Sequence, residues 1–143
     1  MSDDGVALAR IAREAITVDE CEQAVDSPAH GAVVTFAGVV RDHDEGRGVL
    51  RLVYEAHPDA PAALADSARR IAERFPEVRV AAVHRVGDLV VGDLALSCAV
   101  ASAHRAAAFE ACAALVDDIK ASVPIWKEQS FVDGSSEWVA SLG

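Results

Sequence analysis

Between Phe109 and Val123 the sequence leaves little conformational choice. Phe109, Cys112, Val116, Ile119 and Val123 recur at spacings of three and four, the stripe of a helix that buries one face. Pro124 must end that helix, because proline lacks an amide hydrogen and drives the residue before it out of the helical region. Residues 125–132 then read as a strand, which would point Trp126 and Lys127 to opposite faces of a sheet. The fold therefore has to accommodate a long helix that turns abruptly into a strand.

The rest of the chain supplies the partners. Thr17 followed by Glu20 is a capping box that opens a short helix over 18–25. Ser27-Pro28 and Gly31 close it. Residues 32–41 are β-branched and apolar on both faces, which predicts a buried strand ending at Arg41. The run R-D-H-D-E-G-R-G over 41–48 reads as a polar, mobile loop, and 49–57 as a second strand. Pro58, Asp59 and Pro61 start another helix, with Leu64, Ala68, Ile71 and Phe75 as its stripe. Strands follow over 78–84 and 94–101, with Gly87-Asp88 and Gly92-Asp93 as the turn signals between them. A closing pair of short strands is expected over 125–132 and 137–140. Strands outnumber helices and do not alternate with them, so the expected class is α+β, with mostly antiparallel strands and two long helices. Its length suits a single domain, 1–143.

Charge narrows the function. With 23 acidic and 13 basic residues the formal net charge is -10, which argues against nonspecific binding to nucleic acid. An anionic ligand would have to be held by a few placed cations. No apolar run approaches the ~18 residues of a membrane span, and the start M-S-D-D-G is acidic where a signal peptide is basic. A cytoplasmic protein without membrane association is expected. The three cysteines, Cys21, Cys98 and Cys112, form no C-x-x-C pair and lie in apolar runs, which predicts buried thiols rather than disulfides, a zinc site or nucleophiles. His43, His57 and His84 have no ligand-like spacing, so no metal site is expected.

Five residues offer candidate cations. Ser102 reads as an N-cap, so His104 and Arg105 at the helix start would form either a phosphate cradle or a solvated pair. Lys120 in the last turn suits the helix dipole or a site. Lys127 suits either an aggregation-blocking edge or a desolvated lysine fit for proton transfer. Arg41, at a strand end, either meets a ligand or pairs with Asp42 or Asp44. His104 and Lys120 are sixteen residues apart on one helix, about 24 Å, so a small ligand could meet both only across two subunits.

Taken together, several segments resemble the large, catalytic subunit of molybdopterin synthase. They are G-A-V-V-T-F-A-G-V-V-R from Gly31, Y-E-A-H from Tyr54, H-R-V-G-D-L-V-V-G-D from His84, S-A-H-R-A-A-A-F-E-A from Ser102, K-A-S-V-P-I-W-K-E from Lys120 and D-G-S-S-E-W-V from Asp133. The similarity runs from Gly31 to Val139, leaving residues 1–30 outside it. It implies an α/β-hammerhead fold and the conversion of cyclic pyranopterin monophosphate (precursor Z) into molybdopterin by insertion of two sulfur atoms. It also implies a small ubiquitin-like partner whose C-terminal thiocarboxylate supplies the sulfur, and a homodimer at the centre of a heterotetramer. No permanently bound cofactor is implied. Lys120 and Lys127 would be the catalytic lysines. Val39, Val40, Arg41, His104, Arg105 and Glu128 would hold the pterin phosphate.

The chain departs from the family pattern after the W-K pair, where Glu128 and Gln129 replace a basic residue and a glutamate. The family's usual methionine at the start of the first long helix is replaced around Ala60-Pro61, and no basic C-terminal contribution is expected before Gly143. Two other functions compete: a noncatalytic module that binds a ubiquitin-like tail, and a small acyl-thioester enzyme, which would not explain the P-x-W-K segment.

Overall fold

The computed structural model describes residues 5–140, so the acidic start and the expected lack of a basic tail lie outside the described residues. The order is β1 (Val6–Ala12), α1 (Val18–Val25), β2 (Ala32–Val39), β3 (His43–Asp44), β4 (Arg47–Ala56), α2 (Ala60–Arg74), β5 (Arg79–Arg85), β6 (Gly87–Val90), β7 (Leu94–Ser102), α3 (Arg105–Ser122), β8 (Ile125–Phe131) and β9 (Ser136–Ala140). The class is α+β, as expected. All pairings are antiparallel except β1 with β5.

Two sheets organise the chain. The first runs β1-β5-β7-β2. Helix α1 packs on one of its faces through Cys21 and Val25, against Ala81, Val83, Ala99 and Ala101. Helices α2 and α3 bury Leu64, Ala68, Ile71, Cys112, Leu115 and Ile119 in the main core, with Val80, Cys98 and Val100 of the sheet. With both faces covered, β5 and β7 are apolar almost without a break, which is how such strands read. The second sheet runs β3-β4-β8-β9, and β6 joins the same edge of β4 as β3.

Local signals explain most boundaries. Thr17 Oγ1 accepts from the Glu20 amide at 3.2 Å, so the N-cap half of the expected box forms, while the Glu20 carboxylate accepts from Arg10 Nη2 at 2.7 Å. Pro124 sits between the α3 C-cap Val123 and the first residue of β8. Ser102, however, is the last residue of β7; the α3 cap is His104, whose amide donates to Ser102 Oγ at 3.4 Å. Phe109 is 61% exposed. Cys112, Val116, Ile119 and Val123 of the expected stripe are buried, alongside Ala108, Ala111 and Leu115, whereas Phe109 lies about 100° around the helix from Ala108.

Three other expectations fail. Strand β2 pairs only with β7, so as an edge strand it alternates between half-buried and exposed residues rather than being buried on both faces. Residues 41–48 are not a loop but the hairpin β3–β4, turned by Glu45 (φ 51°) and Gly46 (φ 79°). Left-handed values at both central residues give the tight turn that suits paired strands. Strands β1 and β6 were not expected.

Candidate functional site

One end of the first sheet abuts the inner face of the second, and a cavity of about 290 Å³ lies between them. The end of β2 supplies Phe36, Gly38 and Val39 to its wall, followed by Val40 and Arg41. The β2–β7 register shifts between Gly38 and Val39, the sort of bulge that re-aims side chains at a rim. Gly38 leaves room for the Phe36 ring, which a Cβ there would meet at 3.1 Å. Strand β4 adds Leu52 and Tyr54, β5 adds His84, α3 adds Lys120, and β8 adds Lys127 and Gln129.

The lysines arrive by different routes. Lys120 comes from the last turn of α3 and is exposed. Lys127 faces inward on β8 while Trp126 faces outward, as alternation predicts. Burial is the main cause that pushes the Lys127 ammonium below its ordinary pKa, and Lys120 and Arg41 push the same way. Asp44 opposes them. Arg41 is 66% exposed, and its Nη2 lies 3.7 Å from Asp44 Oδ1, so it both lines the cavity and makes the expected loop pair.

His84 is 1% exposed on β5, and Tyr54 meets it edge-on with ring centroids 5.1 Å apart. Its Nδ1 lies 2.7 Å from the carbonyl oxygen of Arg85. A carbonyl only accepts, so Nδ1 carries the hydrogen and Nε2 keeps a lone pair. Burial lowers the His84 pKa to about 4, and the Lys120 charge adds to that, so the ring is neutral near pH 7. The satisfied core histidine read from the sequence is thus also a wall of the cavity.

Of the eight candidate site residues, Lys120, Lys127, Val39, Val40 and Arg41 line this cavity. Glu128 does not. It follows Lys127 on a strand, so it takes the outward face, opposite Val53 and Trp138. The same alternation brings Gln129 in, a signal that was available in the sequence. His104 and Arg105 stand exposed at the far end of α3 and do not line the cavity within one protomer. Tyr54 and His84 were missed because their shared wall is made by two sheets meeting. No cluster of metal-binding side chains occurs among the described residues.

Comparison with known proteins gives concordant results. The family model described as MoaE protein matches residues 11–122. The molybdopterin synthase catalytic subunit 1 of Mycobacterium tuberculosis is 40% identical over 131 residues, covering 91% of this chain and 88% of its own length. The molybdopterin synthase catalytic subunit of Halalkalibacterium halodurans is 41% identical over 130 residues, covering 90% and 83%. A crystal structure of molybdopterin synthase from Staphylococcus aureus superposes with a TM-score of 0.86 at 36% identity, covering 92% of this chain and 96% of that one.

Proposed function

The chain belongs to the MoaE protein family, and from that membership we propose that the cavity between its two sheets is where sulfur enters a pyranopterin. The protein is a sulfur-transferring enzyme of molybdenum-cofactor biosynthesis, acting as a catalytic subunit that converts cyclic pyranopterin monophosphate into molybdopterin. One observation carries the site assignment: Arg41, Lys120 and Lys127, on three separate segments, converge on one cavity in a chain of net charge -10.

The chemistry suits those groups. Substrate phosphate and an incoming thiocarboxylate are both anionic, and three cations with a neutral imidazole make a wall that favours them. Lys127, with its proton loosened by burial, is the group fitted to donate and recover protons as each sulfur replaces oxygen. Lys120, nearer solvent, holds charge and stabilises developing oxyanions. Val39 and Val40 pack beside the pterin. No cofactor is permanently bound in this proposal. The sulfur comes from the C-terminal thiocarboxylate of a small ubiquitin-like subunit, in keeping with relatives that are themselves named as subunits. A cytoplasmic location belongs to the same proposal, as a compartment where three free thiols persist.

His104 and Arg105 enter the site from a second copy, because about 24 Å of helix separates them from Lys120 within one chain. The experiment is reconstitution of the chain with a thiocarboxylated small subunit and cyclic pyranopterin monophosphate. Molybdopterin should form. An inactive Arg105→Ala dimer reassembled with an inactive Lys120→Ala dimer should regain part of the activity, since one of the two mixed pockets carries neither defect. Partner binding without product would leave only a tail-binding module, and inactive mixed dimers would refute the shared pocket.

A further inference from the structure

Gln129 is 3% exposed and lines the cavity without a charge to offer. It lies two residues past Lys127 on the same face of β8, opposite Glu137 of β9. Its Nε2 donates to Asp44 Oδ2 at 2.7 Å and to Glu137 Oε1 at 3.1 Å. A primary amide has two N–H hydrogens, so each carboxylate takes one. Both carboxylates face a cation in turn. Asp44 Oδ1 is 3.7 Å from Arg41 Nη2, and Glu137 Oε2 is 3.7 Å from Arg47 Nη1.

These contacts link the β3–β4 hairpin to β8 and β9. The glutamine amide, neutral and with two hydrogens on one nitrogen, satisfies both carboxylates at once. Glutamate would add a third negative charge and no hydrogen, methionine would fill the space with no donor, and asparagine is one methylene too short.

We propose that Gln129 is a positioning residue whose amide clasps the β3–β4 hairpin to β8 through Asp44, fixing where Arg41 stands at the cavity and how near the Asp44 carboxylate stays to Lys127. The inference rests on the assignment of sulfur insertion to this cavity. The Gln129 hydrogen bond is the main influence that holds the Asp44 carboxyl below its ordinary range. Asp44 is in turn the foremost group that helps Lys127 keep its proton against burial. Releasing the clasp withdraws that counter-charge, so Lys127 should lose its proton at lower pH.

Three full-length variants decide the matter, each checked for an intact unfolding transition: Gln129→Met, Gln129→Glu, and Gln129→Glu combined with Asp44→Asn. Product formation with the thiocarboxylated partner is followed against pH. Separately, the pH dependence of Lys127 acylation by acetic anhydride is read by mass spectrometry, which needs no turnover. Gln129→Met should lose about tenfold or more in rate through loss of a charge-assisted hydrogen bond, and its Lys127 should acylate at lower pH than wild type.

Gln129→Glu should be most impaired at high pH and recover relative to wild type as pH falls. The introduced carboxyl would be flanked by Asp44 and Glu137, against Arg41, Arg47 and Lys127, with Lys120 and His43 also on the cavity wall. The two carboxylates would raise its pKa, and its protonated form could donate to Asp44. The double variant restores one donor facing one acceptor, and should return to within about threefold of wild type if the clasp is what matters. Wild-type rate and Lys127 titration in Gln129→Met would overturn the proposal, as would a folded double variant no better than Gln129→Glu. If the wild-type complex makes no product, the assigned function fails, while the acylation profiles still decide the clasp.

Discussion

The two sheets of this protein solve different problems. In β1-β5-β7-β2 the central strands are buried on both faces, and their side chains are mostly alanine, valine, serine and cysteine, small enough for helices to close over them. In β4-β8-β9 the inner face carries Leu52, Ile125 and Phe131 together with Lys127 and Gln129, while Trp126 and Trp138 face outward and exposed. A strand sealed on both sides has no room for a charge that must stay hydrated or paired. A strand covered on one side can hold a lysine at the margin, dry enough to loosen its proton and open enough to meet a ligand. The first sheet gives rigidity to a wall that the second makes reactive.

Substitutions in the two regions should therefore separate stability from turnover. The largest expected effect is on turnover: Lys127→Met should cut product formation by about a hundred- to ten-thousandfold, the range of a lost proton-transfer group. Its urea midpoint should stay level or rise, because a desolvated ammonium has been removed. A large drop in midpoint would show that Lys127 is structural. Leu64→Ala, under the first sheet, should do the reverse. It should cost about 2–5 kcal/mol of unfolding free energy, with turnover per folded molecule unchanged.

His84 joins the regions and sharpens the contrast through pH. Its pKa is about 4 in the folded chain against an ordinary 6.5. As pH falls through 6.5 the unfolded chain takes up a proton that the folded one refuses, so stability declines until pH passes about 4. Over that window the loss is about 3 kcal/mol. Denaturant unfolding at pH 7 and pH 4.5 should show most of it in wild type and little in His84→Gln. An equal acid loss in both chains would assign the effect to other groups. The smallest effect is expected from the cysteines. All three are buried, and burial raises each thiol pKa. Replacing Cys21, Cys98 and Cys112 together with alanine should leave sulfur insertion per folded molecule unchanged, and complete loss in a folded triple variant would place a nucleophile in this chain.

What was legible in the sequence was whatever is decided locally. The Thr17 cap, the Pro124 stop and the alternation from Trp126 to Lys127 each depend on a few neighbouring residues, and each takes the predicted form. Glu45 hid the β3–β4 hairpin, since glutamate seldom marks a left-handed turn. Strand β1 owes its existence to partners far along the chain, and β2 became an edge strand only because of where the sheet stops. The cavity combines both kinds of information. Lys127 could be placed by counting from Pro124, and the same count excludes Glu128. Tyr54 and His84 could not be found that way, because they line a site only once β4 and β5 are brought together.

The parallel pairing of β1 with β5 also fixes an order of events at the ribosome. Residues of β1 emerge about seventy positions ahead of their partner strand β5, an interval of several seconds at about 5–20 residues per second. During that time β1 has no strand to join, and β2 waits in the same way for β7. Strands β5 and β7 are the closest in the chain among the pairs of the first sheet, and together they offer a free edge on each side for β1 and β2. Synthesis thus delivers the flanks before the middle, and the nascent chain must keep two apolar strands from pairing elsewhere until the middle arrives.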